Sequence, residues 1–165
     1  MNGQSETSAL RNLNTVIKYF VAILLMIITA LTFYQVVLRY LFNSAPSWSE
    51  EMVRFLFIWS SFVAAAIGIR EGIHIGIDVF VNLVPRRIAR FIEIIVSLVI
   101  MVFGAYMVYY GWLVTRMTHS QPSPALGLPM SWVYLSIPVM GVLLIVYCSS
   151  EIAKTYRKIT LERGH

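Results

Sequence analysis

Three long stretches of this chain contain no residue of certain charge: positions 19–38, 94–115 and 117–150, the last with His119 as its one titratable exception. About 20 apolar residues in a helix cross the roughly 30 Å of hydrocarbon in a bilayer. A fourth run, Phe55–Ile69, is shorter than that. It becomes long enough once its helix starts near Trp48 and Arg54 snorkels towards the interface. The expected fold is therefore an all-α membrane protein with four transmembrane helices, at about 19–40, 48–69, 90–115 and 132–150, joined by interfacial helical segments. Positions 19–150 form the four-helix membrane domain, 1–18 a cytoplasmic N-terminal segment and 151–165 a cytoplasmic basic tail. Charged residues make up 13% of the chain and hydrophobic ones 58%, whereas a soluble domain carries about 25% charge. No material is left for a soluble domain.

The net charge of +5 would suggest nucleic acid in a soluble protein, but its distribution points elsewhere. With the N-terminus inside, Arg11, Lys18, Arg70, Arg86, Arg87, Arg90, Lys154, Arg157, Lys158 and Arg163 are cytoplasmic, and only Arg39, Arg54 and Arg116 are outside. Ten against three is a positive-inside bias, so both termini are expected in the cytoplasm. Anionic membrane lipid accounts for the basic balance, and no nucleic-acid partner is needed. The single Cys148 offers neither a disulfide nor a cysteine metal cluster, and reads as a small packing residue. The polar segment 1–18 carries no strong helix pattern. The apolar run behind it is too long for a secretory h-region and lacks an A-x-A site, so an uncleaved first helix is expected.

The most specific chemistry lies between Arg39 and Pro85. Ser47-Trp48-Ser49-Glu50 reads as a capping box opening the second span, with Glu50 and Glu51 favoured by the positive helix end. Arg54 lies one helical turn beyond this pair, within reach of either carboxylate. The cluster is either an interfacial helix start or a docking surface for another subunit. Ser61, Ala65, Gly68 and Gly72 form a smooth stripe that would let another backbone approach closely. Contact within the chain and contact with a partner look the same at this level. Beyond Ile69, alternation (Ile73, Ile75, Ile77, Val79, Val81) competes with helical spacing (Ile73, Ile77, Phe80, Val84). An isolated strand would leave its backbone unpaired at the membrane, so an interfacial helix is expected, limited by Pro85. Arg70, His74 and Asp78 share one of its faces. His74 with Asp78 is too small a set for a metal or proton site.

In the third span Ser97, Gly104 and Gly111 recur at a heptad interval, a seam for helix packing. Tyr106, Tyr109, Tyr110 and Trp112 form an aromatic belt in its outer half. Glu93 sits just inside the cytoplasmic boundary, within reach of Arg86 or Arg90. Positions 116–131 contain three prolines and read as an ordered external loop. The last span is expected to start at Trp132 and bend at Pro138. No internal repeat is evident, so an inverted-repeat transporter core is not encoded here.

Taken together, RYLFNSAPSWSEEMVRFLFIWSSF, IREGIHIGIDVFVNLVP and ALGLPMSWVYLSIPVMG resemble the small membrane subunit, the DctQ-like family, of tripartite ATP-independent periplasmic (TRAP) transporters. The matching positions are Arg39, Tyr40, Asn43, Trp48, Glu50, Glu51, Arg54, Trp59, Arg70, His74, Asp78, Pro85, Pro129 and Pro138. The resemblance implies a multi-pass protein of the bacterial inner membrane that is not an enzyme. It would be a scaffold in a Na⁺-coupled importer of an organic anion such as a C4-dicarboxylate or sialic acid. A large subunit of about twelve spans would carry substrate and Na⁺, a periplasmic substrate-binding protein would deliver the anion, and this chain would hold no cofactor. Two other classes fit the residues less well. A haem-bearing membrane anchor of a respiratory enzyme needs facing axial ligands, but His74 and His119 fall at opposite faces and His165 is terminal. A small homodimeric exporter needs a carboxylate within a span, for which Glu93 is the only candidate.

Overall fold

Inside hydrocarbon a backbone amide has no water to bond, so an apolar run must close its hydrogen bonds as helix. The computed structural model follows that rule. It describes residues 2–44, 46–81 and 86–163, and side chains at 11–44, 46–71, 88, 91–153, 155 and 156. The elements are α1 (Asn2–Phe42), α2 (Ser47–Val81), α3 (Arg86–Met117), the short α4 (Ser131–Tyr134) and α5 (Ser136–Arg163). Among the described residues the only strand-like pairing is an isolated bridge between Pro122 and Pro129. Four segments are long and apolar enough to cross a membrane: Arg11–Phe42, Ser47–Glu71, Phe91–Met117 and Ser131–Ala153. The all-helical, four-span fold holds, and the protein is a multi-pass membrane protein.

The structure adds local detail in three places. The polar N-terminal segment is helical from Asn2, because a helix nucleated by an apolar span extends into flanking polar residues at little cost. The second span and the segment after it form one helix to Val81, which settles the strand-or-helix ambiguity there. Pro85 lies outside the described residues. In the last span α4 and α5 meet at Leu135, which keeps a helical backbone (φ −59°, ψ −23°), and its amide donates to the Ser131 carbonyl at 2.9 Å. Pro138 cannot donate to the carbonyl one turn back, so the ladder of helical hydrogen bonds loses one member there. As local chemistry requires, Thr29 and Thr32 donate their hydroxyl protons to the carbonyls of Leu25 and Ile28.

The helices are arranged more as a row than as a closed bundle. Among the described residues α1 packs on α2, α2 packs on α5, and α5 packs extensively on α3, while α2 and α3 touch lightly. α5 is the most enclosed span, and α1 and α3 are the least. The largest buried cluster joins the first three members of that row: Ile17 of α1, Val63, Ala66 and Ile67 of α2, and Met140, Leu144 and Tyr147 of α5.

α3 is attached by the expected seam. Ser97, Gly104 and Gly111 are all buried. A Cβ on Gly104 would lie 3.0 Å from the Gly141 carbonyl oxygen and 3.2 Å from Leu144 Cβ. A Cβ on Gly141 would lie 2.6 Å from the Gly104 carbonyl oxygen and 2.9 Å from the Val108 amide nitrogen. One turn further out, past Val108, a Cβ on Gly111 would meet Pro138 Cδ at 2.8 Å. In lipid, where apolar burial gives helices no preference for each other, such close backbone approach is the source of attraction.

The expectation follows directly. Gly141→Ala should lower the melting temperature of the detergent-purified chain, with an overpacking cost of about 1–3 kcal/mol. Gly68→Ala, whose Cβ would meet nothing within 4 Å, should leave it unchanged. Scanning fluorimetry on the two variants checks this, and equal melting temperatures would refute the seam.

Candidate functional site

The site is built at the end of α2 that follows the first interhelical connection. α1 ends because Asn43 adopts a left-handed backbone (φ 50°), a conformation asparagine tolerates better than most residues with a side chain. The Ser44 amide then donates to the Leu38 carbonyl at 3.4 Å. The turn brings Arg39 of α1 back beside α2, where its Nη2 donates to Glu50 Oε1 at 2.5 Å. Trp48 lies beside Tyr34, with ring centroids 6.5 Å apart. The expected capping box is not closed among the described residues, since Glu50 is held by Arg39. Instead Ser49 donates its hydroxyl proton to the Pro46 carbonyl at 2.7 Å. Tyr40 is exposed on the α1 side of this corner.

Glu51 does something different from its neighbour. It is 7% exposed, and its Oε2 accepts from the Ala125 amide at 2.7 Å and the Leu126 amide at 2.9 Å. Two donors converge on one carboxylate oxygen, pinning the long loop onto the end of α2. Within that loop the Ser123 amide donates to the Leu128 carbonyl at 2.8 Å. The Leu128 amide donates to Ser123 Oγ at 3.2 Å, and the Met130 amide donates to the Gln121 carbonyl at 2.9 Å. Gly127 supplies the one turn position that needs a positive φ, 66°. Trp59, two turns further along α2, donates its indole proton to the Trp132 carbonyl of α4 at 2.9 Å. His119 Nδ1 and Ser131 Oγ lie 3.3 Å apart across the base of the loop.

The pairing expected of Arg54 is corrected. Salt bridges among the described residues are Lys18–Glu71 and Arg39–Glu50, and Arg54 is exposed without one. The reason is rotation. Residues on a helix are offset by about 100°, so Glu51 shares the inward face with Phe55 and Trp59, whereas Arg54 shares the outward face with Phe57 and Ser61. That face continues as the small-residue stripe. Ser61, Ala65 and Gly68 are exposed, and Gly68 has open space where a Cβ would be. The Ser97/Gly104/Gly111 stripe is closed within the chain, and the Ser61/Ala65/Gly68 stripe is open. Gly72 lies outside the described side chains.

At the opposite end of α2, Lys18 Nζ pairs with Glu71 Oε1 at 2.5 Å. The Arg70 guanidinium stacks over the Tyr147 ring, 4.9 Å from its centroid. His74 and Asp78 belong to α2, but their side chains lie outside those described. Glu93 accepts a hydrogen bond from the Thr155 hydroxyl of α5 at 2.8 Å, and the side chains of Arg86 and Arg90, the partners expected for it, lie outside those described. No sequence pattern singles out Gly141, Ala125, Leu126 or Trp132 for the contacts they make. A signal for Glu51 does exist, since its helical steps to Phe55 and Trp59 place it on the buried face.

The fold and this site define a small multi-pass helical membrane protein, with one polar face braced by a buried carboxylate and one face of α2 left open. The chain belongs to the family described as tripartite ATP-independent periplasmic transporters, DctQ component, which matches residues 28–158. A TRAP transporter small permease protein of Haemophilus influenzae is 30% identical over 120 residues, covering 73% of this chain and 74% of the relative. The sialic acid TRAP transporter small permease protein SiaQ of Vibrio cholerae is 26% identical over 141 residues, covering 85% and 82%. The isethionate TRAP transporter permease protein DctMQ of Oleidesulfovibrio alaskensis is 33% identical over 138 residues, 81% of this chain but only 22% of that relative.

Removing the Glu51 carboxylate should matter more than removing Glu50. Glu51→Ala leaves two loop amides unpaired, an expected loss of about 1–3 kcal/mol. It should speed proteolysis within 118–130. Glu51→Gln keeps an acceptor oxygen and should be milder. The Arg39–Glu50 side chains are 61% and 46% exposed, so Glu50→Ala should cost no more than about 1 kcal/mol. Limited proteolysis and melting curves in detergent rank the three, and an Ala effect at Glu50 equal to that at Glu51 would refute the assignment.

Proposed function

We propose that this chain is the embedded scaffold subunit of a Na⁺-coupled, binding-protein-dependent importer of an organic anion, in the inner membrane of a bacterium. The observation that carries the reading is the open face of α2. Arg54, Phe57, Ser61, Ala65 and Gly68 are all exposed, on a helix held by Arg39 and the 118–130 loop near its start and by Lys18 and Tyr147 further along. A rigid helix with a smooth outward stripe suits a second multi-span protein, because small residues allow close backbone contact in lipid. The isethionate relative supports this, since most of its length lies beyond the part that matches. In this reading the partner is a larger permease, of about twelve spans as the family resemblance implies, and Arg54 lies at the rim of the contact.

In this reading substrate and Na⁺ are handled by the large subunit, and this chain binds no cofactor of its own. The loop held by Glu51 extends the periplasmic surface on which a substrate-binding protein docks. Both termini face the cytoplasm, consistent with the ten-to-three basic asymmetry. The substrate class is a carboxylate or sulfonate anion, by analogy with relatives named for sialic acid and isethionate.

Two measurements test this. Ala65→Trp and Arg54→Glu should each reduce copurification of the large subunit and Na⁺-dependent uptake, while the melting temperature of the isolated chain stays unchanged. Normal copurification in the double variant would remove α2 as the contact. A periplasm-active reporter fused after His165 should be silent and one inserted at Gln121 active. The reverse pattern would overturn the orientation.

A further inference from the structure

Two grooves lined by α3, α4 and α5 meet at Trp112 and Leu135. The first, about 380 Å³, lies at the loop-bearing membrane face and is lined by Trp112, Thr115, Arg116, His119, Ser131 and Trp132. The second, about 370 Å³, runs into the apolar zone between Val108, Pro138, Val139 and Val142. Trp112 and Leu135 line both. Leu135 is also where α4 meets α5, so the two grooves adjoin at the turn before Pro138.

The two ends differ in chemistry. At the upper end the Arg116 side chain is exposed and has no carboxylate within ion-pair distance among the described residues. His119 stands one helical turn beyond it. Trp112 and Trp132, 54% and 62% exposed, flank it at the depth where indole rings settle between headgroups and chains. The lower end is wholly hydrocarbon-like. A ligand complementary to both has a negative head and a long apolar tail. We propose that this double groove holds one phospholipid of that leaflet, its phosphodiester on Arg116 and His119 and one acyl chain lying along Val139 and Val142. The tail gains little from leaving bulk lipid, which is equally apolar. Retention therefore rests on the charge-assisted headgroup contact and on the fit of the chain in the notch.

The test uses the full-length protein in a phospholipid-free micelle, titrated with palmitoyl-oleoyl phosphatidylglycerol and, separately, with inorganic phosphate at matched ionic strength. Bound lipid is counted by native mass spectrometry, and phosphate by its competition against the lipid. One lipid per chain should resist activation energies that strip the rest. Arg116→Gln should weaken it about tenfold, the consequence of losing one charge-assisted hydrogen bond. Val139→Trp, which fills the lower groove, should also displace it, and Arg11→Gln at the opposite face should not. Melting curves verify that each variant folds, and His119→Ala gives an independent probe of the head end. Unchanged lipid affinity in both groove variants would overturn the proposal. So would displacement by inorganic phosphate alone, which would make the upper groove a free-anion site. In the copurified complex, a photoreactive residue at Val142 should yield a phospholipid adduct, and a protein adduct in its place would assign the groove to a partner helix.

Discussion

How closely two helix backbones approach where α3 crosses α5 governs the rest of this fold. Hydrocarbon forces each span into helix but gives helices no reason to associate, since lipid tails are as apolar as leucine. What remains is contact between atoms, about 0.1–0.2 kcal/mol per well-placed pair and quickly lost with distance. Gly104 and Gly141 bring main chains together so closely that a single methyl on Gly141 would meet a carbonyl oxygen at 2.6 Å. The same crossing seats Gly111 against Pro138, the residue that has no amide proton to give the last span. With α5 held by α3 on one side, its other side receives α2, and α2 in turn carries α1. The row of helices, and the wide apolar surfaces it leaves to its surroundings, follow from that contact.

Two adjacent carboxylates show how position on a helix decides role. Glu50 meets an arginine on an exposed corner, where water competes for both charges and the pair contributes little. Glu51 is turned inwards by one residue's rotation and takes two loop amides in a site almost closed to solvent. The first links α1 to α2 loosely, and the second gives the long proline-rich loop its fixed place. With Trp59 bonded to the Trp132 carbonyl and, at the far end, Arg70 stacked on Tyr147, α2 becomes the stiff member that ties the two membrane faces together. A scaffold needs that property more than it needs chemistry of its own. The polar groups with described contacts here act within the chain, and the helix they brace presents its smooth side outward.

The sequence by itself determined the number of spans, their helical state, the back-bonded threonines and, through its motifs, the family. These properties are local: they depend on the length of an apolar run, the hydrogen bonding of a backbone in hydrocarbon, and residues close in the chain. The tertiary structure alone decided that Glu50 bonds Arg39 of the preceding helix while Glu51 bonds the loop at Ala125 and Leu126. It also decided that the Ser97 stripe closes on Gly141 while the Ser61 stripe stays open. Small residues at helical spacing make close packing available without saying against what. The partner is set by how each helix is rotated and which neighbour its connections allow it to reach, and that information exists only once the spans have been placed side by side.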